Sequence, residues 1–205
     1  MASKPDELRE VDVSPDPFEQ FARWYQQALA AKVAAPDAMA LATATSDGAP
    51  SARMVLLKGA DERGLVFFTS YLSRKSRELE ANRRAAMLFH WQPLGRQVRV
   101  EGTVERCSRE ETERYVRSRP PASQISALAW PQSEVVENRE ALEARVAELA
   151  ARYGEEQPPV PDHWGGYRLV PSEWEFWQHR EDRLHDRLRY RPAPGGGWTL
   201  ERLGP

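Results

Sequence analysis

Cysteine is almost missing from this chain: its 205 residues contain one, Cys107. A single thiol cannot build an intramolecular disulfide framework and supplies no Cys pair to a metal site. Cys107 follows an expected strand and has no evident base partner, so it reads as a packing or surface thiol. Histidine is scarce as well. The four residues, His90, His163, His179 and His185, show neither H-x-H nor H-E-x-x-H spacing, so no metal is expected. Charge of one sign is lacking too. A formal net charge of −2 with 29% charged residues gives no general attraction to nucleic acid or to anionic membranes. No apolar run approaches the roughly 20 residues of a membrane-spanning helix. The start, "MASKPDELREVDVSPDPFEQF", has neither the apolar core of a secretory signal nor the Arg-rich, acid-poor character of a transit peptide, which points to a cytoplasmic protein. G-x-G-x-x-G and G-x-S-x-G are absent, which argues against a dinucleotide fold and a hydrolase nucleophile.

What is present is aromatic and β-rich. Seven tryptophans supply large flat apolar surfaces, for a core or around a planar ligand. Pro15-Asp16-Pro17 opens a helix whose Phe18, Phe21, Trp24, Tyr25, Ala28 and Leu29 keep the helical period. Strands are expected over 38–45, 52–58, 65–70, 85–91 and 96–107, and again over 166–178, 183–191 and 198–203. A short polar helix is expected over 73–82. A capping box at Ser108–Glu111 starts a helix that Pro120-Pro121 stops. A long amphipathic helix is expected over 134–153. Gly195-Gly196-Gly197 lies between two strands and is a hairpin turn, because no helix follows it. Sequential strands with scattered helices indicate an antiparallel barrel with helical decoration.

Several clusters are prepared for anions. In "RMVLLK", Arg53, Val55 and Leu57 share one strand face, while Met54, Leu56 and Lys58 share the other. Ser73-Arg74-Lys75 places two cations at a helix N-terminus, against the macrodipole, a conflict that a bound phosphate removes. Tyr115 and Arg119 lie one turn apart at a helix end. In "EFWQHREDRLHDRLRY", a period of two places Arg183, His185 and Arg187 on one strand face. Three such groups side by side require an anion opposite them. These features support a planar, phosphorylated ligand and leave the reaction open.

The segment "EFWQHREDRLHDR" resembles the C-terminal signature of the pyridoxine/pyridoxamine 5′-phosphate oxidase family. "RMVLLK", "FFTSYLSRKSRELEAN", "RQVRVEGTVER", "SRPPASQISA", "PQS", "WGGYR" and "RLGP" follow the family's order and spacing from about Pro17 on. The resemblance implies a mainly β fold with helices: an FMN-binding split barrel, antiparallel and Greek-key-like with peripheral helices. It implies a mobile arm over 1–16 and a single domain over 17–205. It implies a homodimer with FMN at the interface, acting on B6 phosphate vitamers and O2 in pyridoxal phosphate biosynthesis. By the resemblance, FMN falls to Arg53, Met54, Val55, Leu56, Leu57, Lys58, Phe68, Thr69, Ser73, Arg74 and Lys75, completed by Gln97, Gln132, Ser133, Trp177 and Arg187. Lys58, Tyr115, Arg119 and Ser123 would hold the substrate phosphate, and Arg183 and His185 would act at the substrate ring. The chain departs from the family at His179-Arg180, where small glycines are common, at Phe68, where tyrosine is frequent, and in an arm without the Arg and Tyr that some members fold over the substrate. The alternatives are a split-barrel flavoenzyme with another substrate, of phenazine type, and a non-catalytic flavin- or pyridoxal-phosphate-binding protein.

Overall fold

The computed structural model describes residues 7–154 and 156–205. Its strands are β1 (Ala38–Ala44), β2 (Pro50–Leu56), β3 (Gly59–Asp61), β4 (Gly64–Ser70), β5 (Arg84–Trp91), β6 (Arg96–Arg106), β7 (Trp164–Gln178), β8 (Asp186–Pro192) and β9 (Trp198–Arg202). Its helices are α1 (Pro17–Ala30), α2 (Arg74–Ala81), α3 (Arg109–Ser118), α4 (Pro121–Ala129) and α5 (Arg139–Tyr153). The strands form one antiparallel sheet in the order β2-β1-β5-β6-β7-β4-β3, and β8 and β9 continue from β7.

Strand β7 organises the molecule. One edge runs along β6 for almost its whole length, from Tyr167 to Gln178. The other edge pairs with β4 through Leu169, then with β8 from Trp174 onward. The change of partner brackets Pro171, which has no N–H to donate to a ladder. Opposite it, β6 shifts register between Glu101 and Gly102. A Cβ on Gly102 would stand 2.0 Å from the Val170 carbonyl oxygen, so glycine is the residue that permits this approach. The sheet splits here, and β4 and β8 leave β7 in different directions.

The core follows the strand period of two. Met39 and Leu41 of β1, Met87, Phe89 and Trp91 of β5, Val98 and Val100 of β6 and Trp174 and Phe176 of β7 all face inward and are buried. Helix α1 closes one end. The Asp16 side chain caps it by accepting from the Phe18 N–H, and Pro17 occupies its first turn. Phe21 and Trp24 then meet Phe89, Trp174 and Phe176 at 5.0–5.6 Å between ring centroids.

Within the expected arm, Leu8 is buried and Val11 is exposed, and Arg202 donates to the Leu8 carbonyl and the Glu10 carboxylate. Residues 1–6 of that arm lie outside the described residues. Three expectations change. The Pro120-Pro121 pair stops α3 as expected, but Pro121 also opens α4, because proline suits a first helical turn. Helix α5 begins at Arg139, capped by Asn138, five residues later than the periodicity indicated. Strand β8 begins at Asp186, not at 183. No described helix is long and apolar enough to cross a membrane.

Candidate active site

A cavity of about 340 Å³ opens where β2, β4 and the exit of α3 converge. Edge strand β2 contributes Arg53, Met54, Val55 and Leu56, followed by Lys58; β4 contributes Phe68 and Thr69. Lys75, Tyr115, Arg119, Gln132 and Trp164 complete the wall. Every one of these but Trp164 is a site residue expected from the sequence, drawn from five separate segments. Trp164 belongs to the WGGYR motif and had no expected role of its own.

The deep end is cationic. Lys75 is buried, and its Nζ donates to Gln132 Oε1 at 2.8 Å and to Thr69 Oγ1 at 3.1 Å. Both partners are neutral, and no carboxylate of the described residues lies within ion-pairing distance of it. Burial, with the nearby Arg53 charge, therefore pulls its pKa down to about 8. Arg53 donates to the Leu41 carbonyl at 3.1 Å and Thr43 Oγ1 at 2.6 Å, and it meets Glu78 Oε2 at 3.1 Å. Of the helix-start triplet, only Lys75 lines the cavity. Arg74 turns to Glu78 at 2.8 Å, and the buried Ser73 caps α2 by accepting from the Ser76 N–H.

The outer end has a different chemistry. Phe68, Tyr115 and Trp164 present near-parallel rings, Phe68 and Tyr115 at 3.9 Å and Tyr115 and Trp164 at 6.0 Å. Arg119 leaves α3 in extended conformation, as a residue before proline should, and its guanidinium lies 4.7 Å above Trp164. Its buried Nη1 has no hydrogen-bond partner among the described residues. Lys58 meets Asp37 at 3.2 Å. Ser123, in the first turn of α4, and Leu57, buried beside Lys58, do not line this cavity.

The remaining expected residues assemble elsewhere. Gln97, Trp177 and Arg187 form a row across β6, β7 and β8, because Gln97 pairs with Trp177 and Trp177 with Arg187. About 13 residues of strand separate Trp177 from Trp164 along β7, a path of roughly 40 Å. Arg187 donates to both oxygens of Glu175. The common strand face expected for Arg183, His185 and Arg187 does not form. Arg183 adopts a left-handed conformation at φ 64°, and the Asp182 carboxylate accepts from the Leu184 N–H, so 179–185 is a loop. His185 Nδ1 accepts from the Arg180 N–H at 3.1 Å, and its ring lies 4.7 Å from Trp177 and 5.2 Å from His179. The bulk at His179-Arg180 is thus absorbed into the loop. Ser133, at φ 74°, follows Gln132 in a turn outside the cavity wall. Cys107 is buried and its thiol is pushed up to about 11 by desolvation, which makes it a packing thiol.

The deep end and the β2 edge fit a flavin phosphate and its ring in physical terms. The deep end offers desolvated Lys75 without a counterion, and β2 offers an unpaired strand edge to a planar polar ring. Among the described residues, no group of three or more His, Cys, Asp or Glu is arranged to hold a metal ion.

Residues 25–153 match the family model described as pyridoxamine 5′-phosphate oxidase, and residues 164–205 match the pyridoxine 5′-phosphate oxidase C-terminal dimerisation region. A pyridoxine/pyridoxamine 5′-phosphate oxidase of Bordetella petrii is 58% identical over 198 residues, covering 97% of this chain and 93% of the relative. One of Paraburkholderia phymatum is 57% identical over 194 residues, covering 95% and 91%. A crystal structure of PhzG from Burkholderia lata in complex with tetrahydrophenazine-1-carboxylic acid superposes with a TM-score of 0.92 at 37% identity, covering 99% of this chain and 100% of that one. A pyridoxamine 5′-phosphate oxidase-related, FMN binding protein from Nostoc punctiforme shares the fold, with a TM-score of 0.72 at 18% identity and 90% and 97% coverage.

Proposed function

The chain belongs to the pyridoxine/pyridoxamine 5′-phosphate oxidase family, and from that premise we propose that it is an FMN-dependent oxidase converting pyridoxamine or pyridoxine 5′-phosphate to pyridoxal 5′-phosphate. When bound, FMN would supply the redox chemistry of this oxidation, with O2 as the electron acceptor, hydrogen peroxide as a product and ammonia released from the amine substrate.

The carrying observation is that one cavity holds two separate cationic ends. Lys75 and Arg53 take the FMN phosphate at the deep end. Gln132 and Thr69, already bonded to Lys75, hold that ammonium in place. Lys58, Tyr115 and Arg119 take the substrate phosphate at the outer end. Two phosphate anchors fix the relative placement of two planar rings, which is the main demand of a transfer between them. The edge of β2 lies between the two ends and supplies backbone groups to ring heteroatoms.

Gln97, Trp177, Arg187, Arg183 and His185 enter from a second copy of the chain in this reading. None of them lines the cavity of its own chain; Trp177, Arg183, His185 and Arg187 occupy the segment that matches a dimerisation region, and Gln97 pairs with Trp177 across β6 and β7. His185 would reach the substrate with its Nε2, since Nδ1 is engaged by backbone. Formation of pyridoxal 5′-phosphate is a step of B6 cofactor supply, placed here in the cytoplasm.

A second reading has one observation in its favour, the 0.92 TM-score to a structure bound to a tetrahydrophenazine carboxylate. That ligand carries no phosphate, whereas the outer end here gathers Lys58 and Arg119 around a hydroxyl. Aerobic turnover of pyridoxamine 5′-phosphate, followed by peroxide release, separates the readings. Turnover supports the oxidase. A flavin-loaded protein that leaves both B6 phosphates untouched rejects it.

A further inference from the structure

We propose that Trp164 is a positioning residue for substrate recognition: its indole face carries the Arg119 guanidinium and makes the site selective for a phosphorylated ligand. This rests on the reading of Arg119 as a phosphate contact.

Three other cations with an assigned role in this fold are held by acids, whereas Lys75 is held by neutral Gln132 and Thr69. Arg53 has Glu78, Lys58 has Asp37 and Arg187 has Glu175. A carboxylate orients a cation but also competes with an incoming anion for it. Arg119 differs. No carboxylate of the described residues comes within ion-pairing distance of it, and its buried Nη1 has no hydrogen-bond partner. Its backbone is fixed, since its N–H donates to the Val116 carbonyl at 3.1 Å and its carbonyl accepts from Gln124 Nε2 at 2.8 Å. What orients the charged end is the indole at 4.7 Å. A guanidinium lying on an aromatic face keeps its edge N–H groups and its whole charge available.

The indole is itself rigid. Trp164 starts β7 in register with Ser70, and its backbone N–H donates to the Pro161 carbonyl. Its ring is within 6° of parallel with Tyr115 and within 8° of parallel with Phe68. One side chain thus aligns the guanidinium of Arg119 and the phenol of Tyr115, two of the three outer-end phosphate groups.

The test compares Trp164→Met, which keeps bulk without a π face, with Trp164→Phe, which keeps a face. FMN-loaded protein is titrated with pyridoxal 5′-phosphate and with pyridoxal, and kinetics are run on pyridoxine 5′-phosphate and on pyridoxine. Trp164→Met should weaken pyridoxal 5′-phosphate roughly 3- to 30-fold, given the strength of a partly desolvated cation–π contact. The loss should appear in KM more than in kcat. Pyridoxal binding should weaken much less than pyridoxal 5′-phosphate binding, and Trp164→Phe should recover most of the phosphate-selective loss. In an Arg119→Ala background, Trp164→Met should add no further phosphate-selective loss. Equal losses for the phosphorylated and unphosphorylated ligands, or an undiminished effect in the Arg119→Ala background, overturn the proposal. Should Arg119→Ala alone affect both ligands equally, the reading of Arg119 fails instead.

Discussion

Glu78 Oε2 lies 3.1 Å from the Arg53 guanidinium, inside a network in which the same oxygen also accepts from Thr43 and Ser51 and the other accepts from Arg74. Two strands and a helix thereby meet on one buried carboxylate. Desolvation opposes its ionisation, but the hydrogen bonds from Ser51, Thr43, Arg74 and Arg53 outweigh it and hold the pKa near 2. A carboxyl with a depressed folded-state pKa stabilises the fold above its unfolded value, and that contribution disappears as pH falls from about 4.5 toward 2. It amounts to at most about 3 kcal/mol at neutral pH. Glu78→Gln should therefore melt well below the wild type at pH 7, and the gap should close below pH 4. A gap that is constant with pH would assign the loss to packing alone.

Lys75 makes FMN affinity depend on pH in the opposite range. Its ammonium is depressed to about 8 in the ligand-free protein, and a bound phosphate must raise it. Affinity of the apoprotein for FMN should be level up to about pH 8, then fall by up to about tenfold per pH unit as a proton must be taken up on binding. Fluorescence titration of FMN measures this. Lys75→Gln should bind more weakly at pH 7 and lose the slope, and a slope that survives in the variant assigns the titration elsewhere.

If Lys58 takes the substrate phosphate as proposed, Asp37 competes for it across their 3.2 Å contact. Both side chains are about a quarter exposed, so the pair contributes roughly 0.5–1 kcal/mol. Asp37→Asn should lower KM for pyridoxine 5′-phosphate about 2- to 5-fold and leave pyridoxine unchanged. The gain should shrink with added salt, as an exposed charge effect must. A raised KM would show instead that Asp37 holds Lys58 in its productive position.

Gly166 fixes the back of the aromatic wall. A Cβ there would stand 2.8 Å from both Phe68 Cε1 and Cys107 Sγ. Gly166→Ala should cost about 1–3 kcal/mol by overpacking and lower Tm by several degrees. Cys107→Ala in the same chain should restore part of that by removing one of the two contacts. Full stability in Gly166→Ala would mean that Phe68 yields freely, contrary to its 3.9 Å stack on Tyr115.

In the proposed reading the site needs two chains, with His185 contributed across the interface, so damage on opposite sides should complement. Arg119→Ala removes a cavity residue, and His185→Leu removes a loop residue contributed across the interface. Each protein alone should be nearly inactive with pyridoxamine 5′-phosphate. After mixing through a dissociated state, half the dimers are mixed and each regains one intact site, giving about one quarter of wild-type activity. Light scattering should report about twice the 23.4 kDa chain mass. No recovery from verified mixed dimers would place both residues in the site of one chain.

The sequence by itself determined which residues face inward, where helices start and stop, and which cations lie at element ends. Alternation put Met87, Phe89 and Trp91 in the core, the Ser108 capping box opened α3, and the bond before Pro120 turned Arg119 out of it. These are local properties, set by a period of two or 3.6 and by the covalent limits of proline. The grouping of those cations was legible only through likeness to a family, because it depends on the order of strands in the sheet. Tertiary structure decided that Lys75 loses its solvent and finds Gln132, 57 residues away, and that Glu78 holds Arg53. It also decided that Trp164 lies under Arg119, and that 183–185 is a loop despite its alternating pattern. That pattern misled because alternation reports which faces a strand would have and not whether a neighbour pairs with it. Here the ladder between β7 and β8 ends at Gln178 and Asp186, so the residues between them turn to a local Asx bond and a backbone bond to His185.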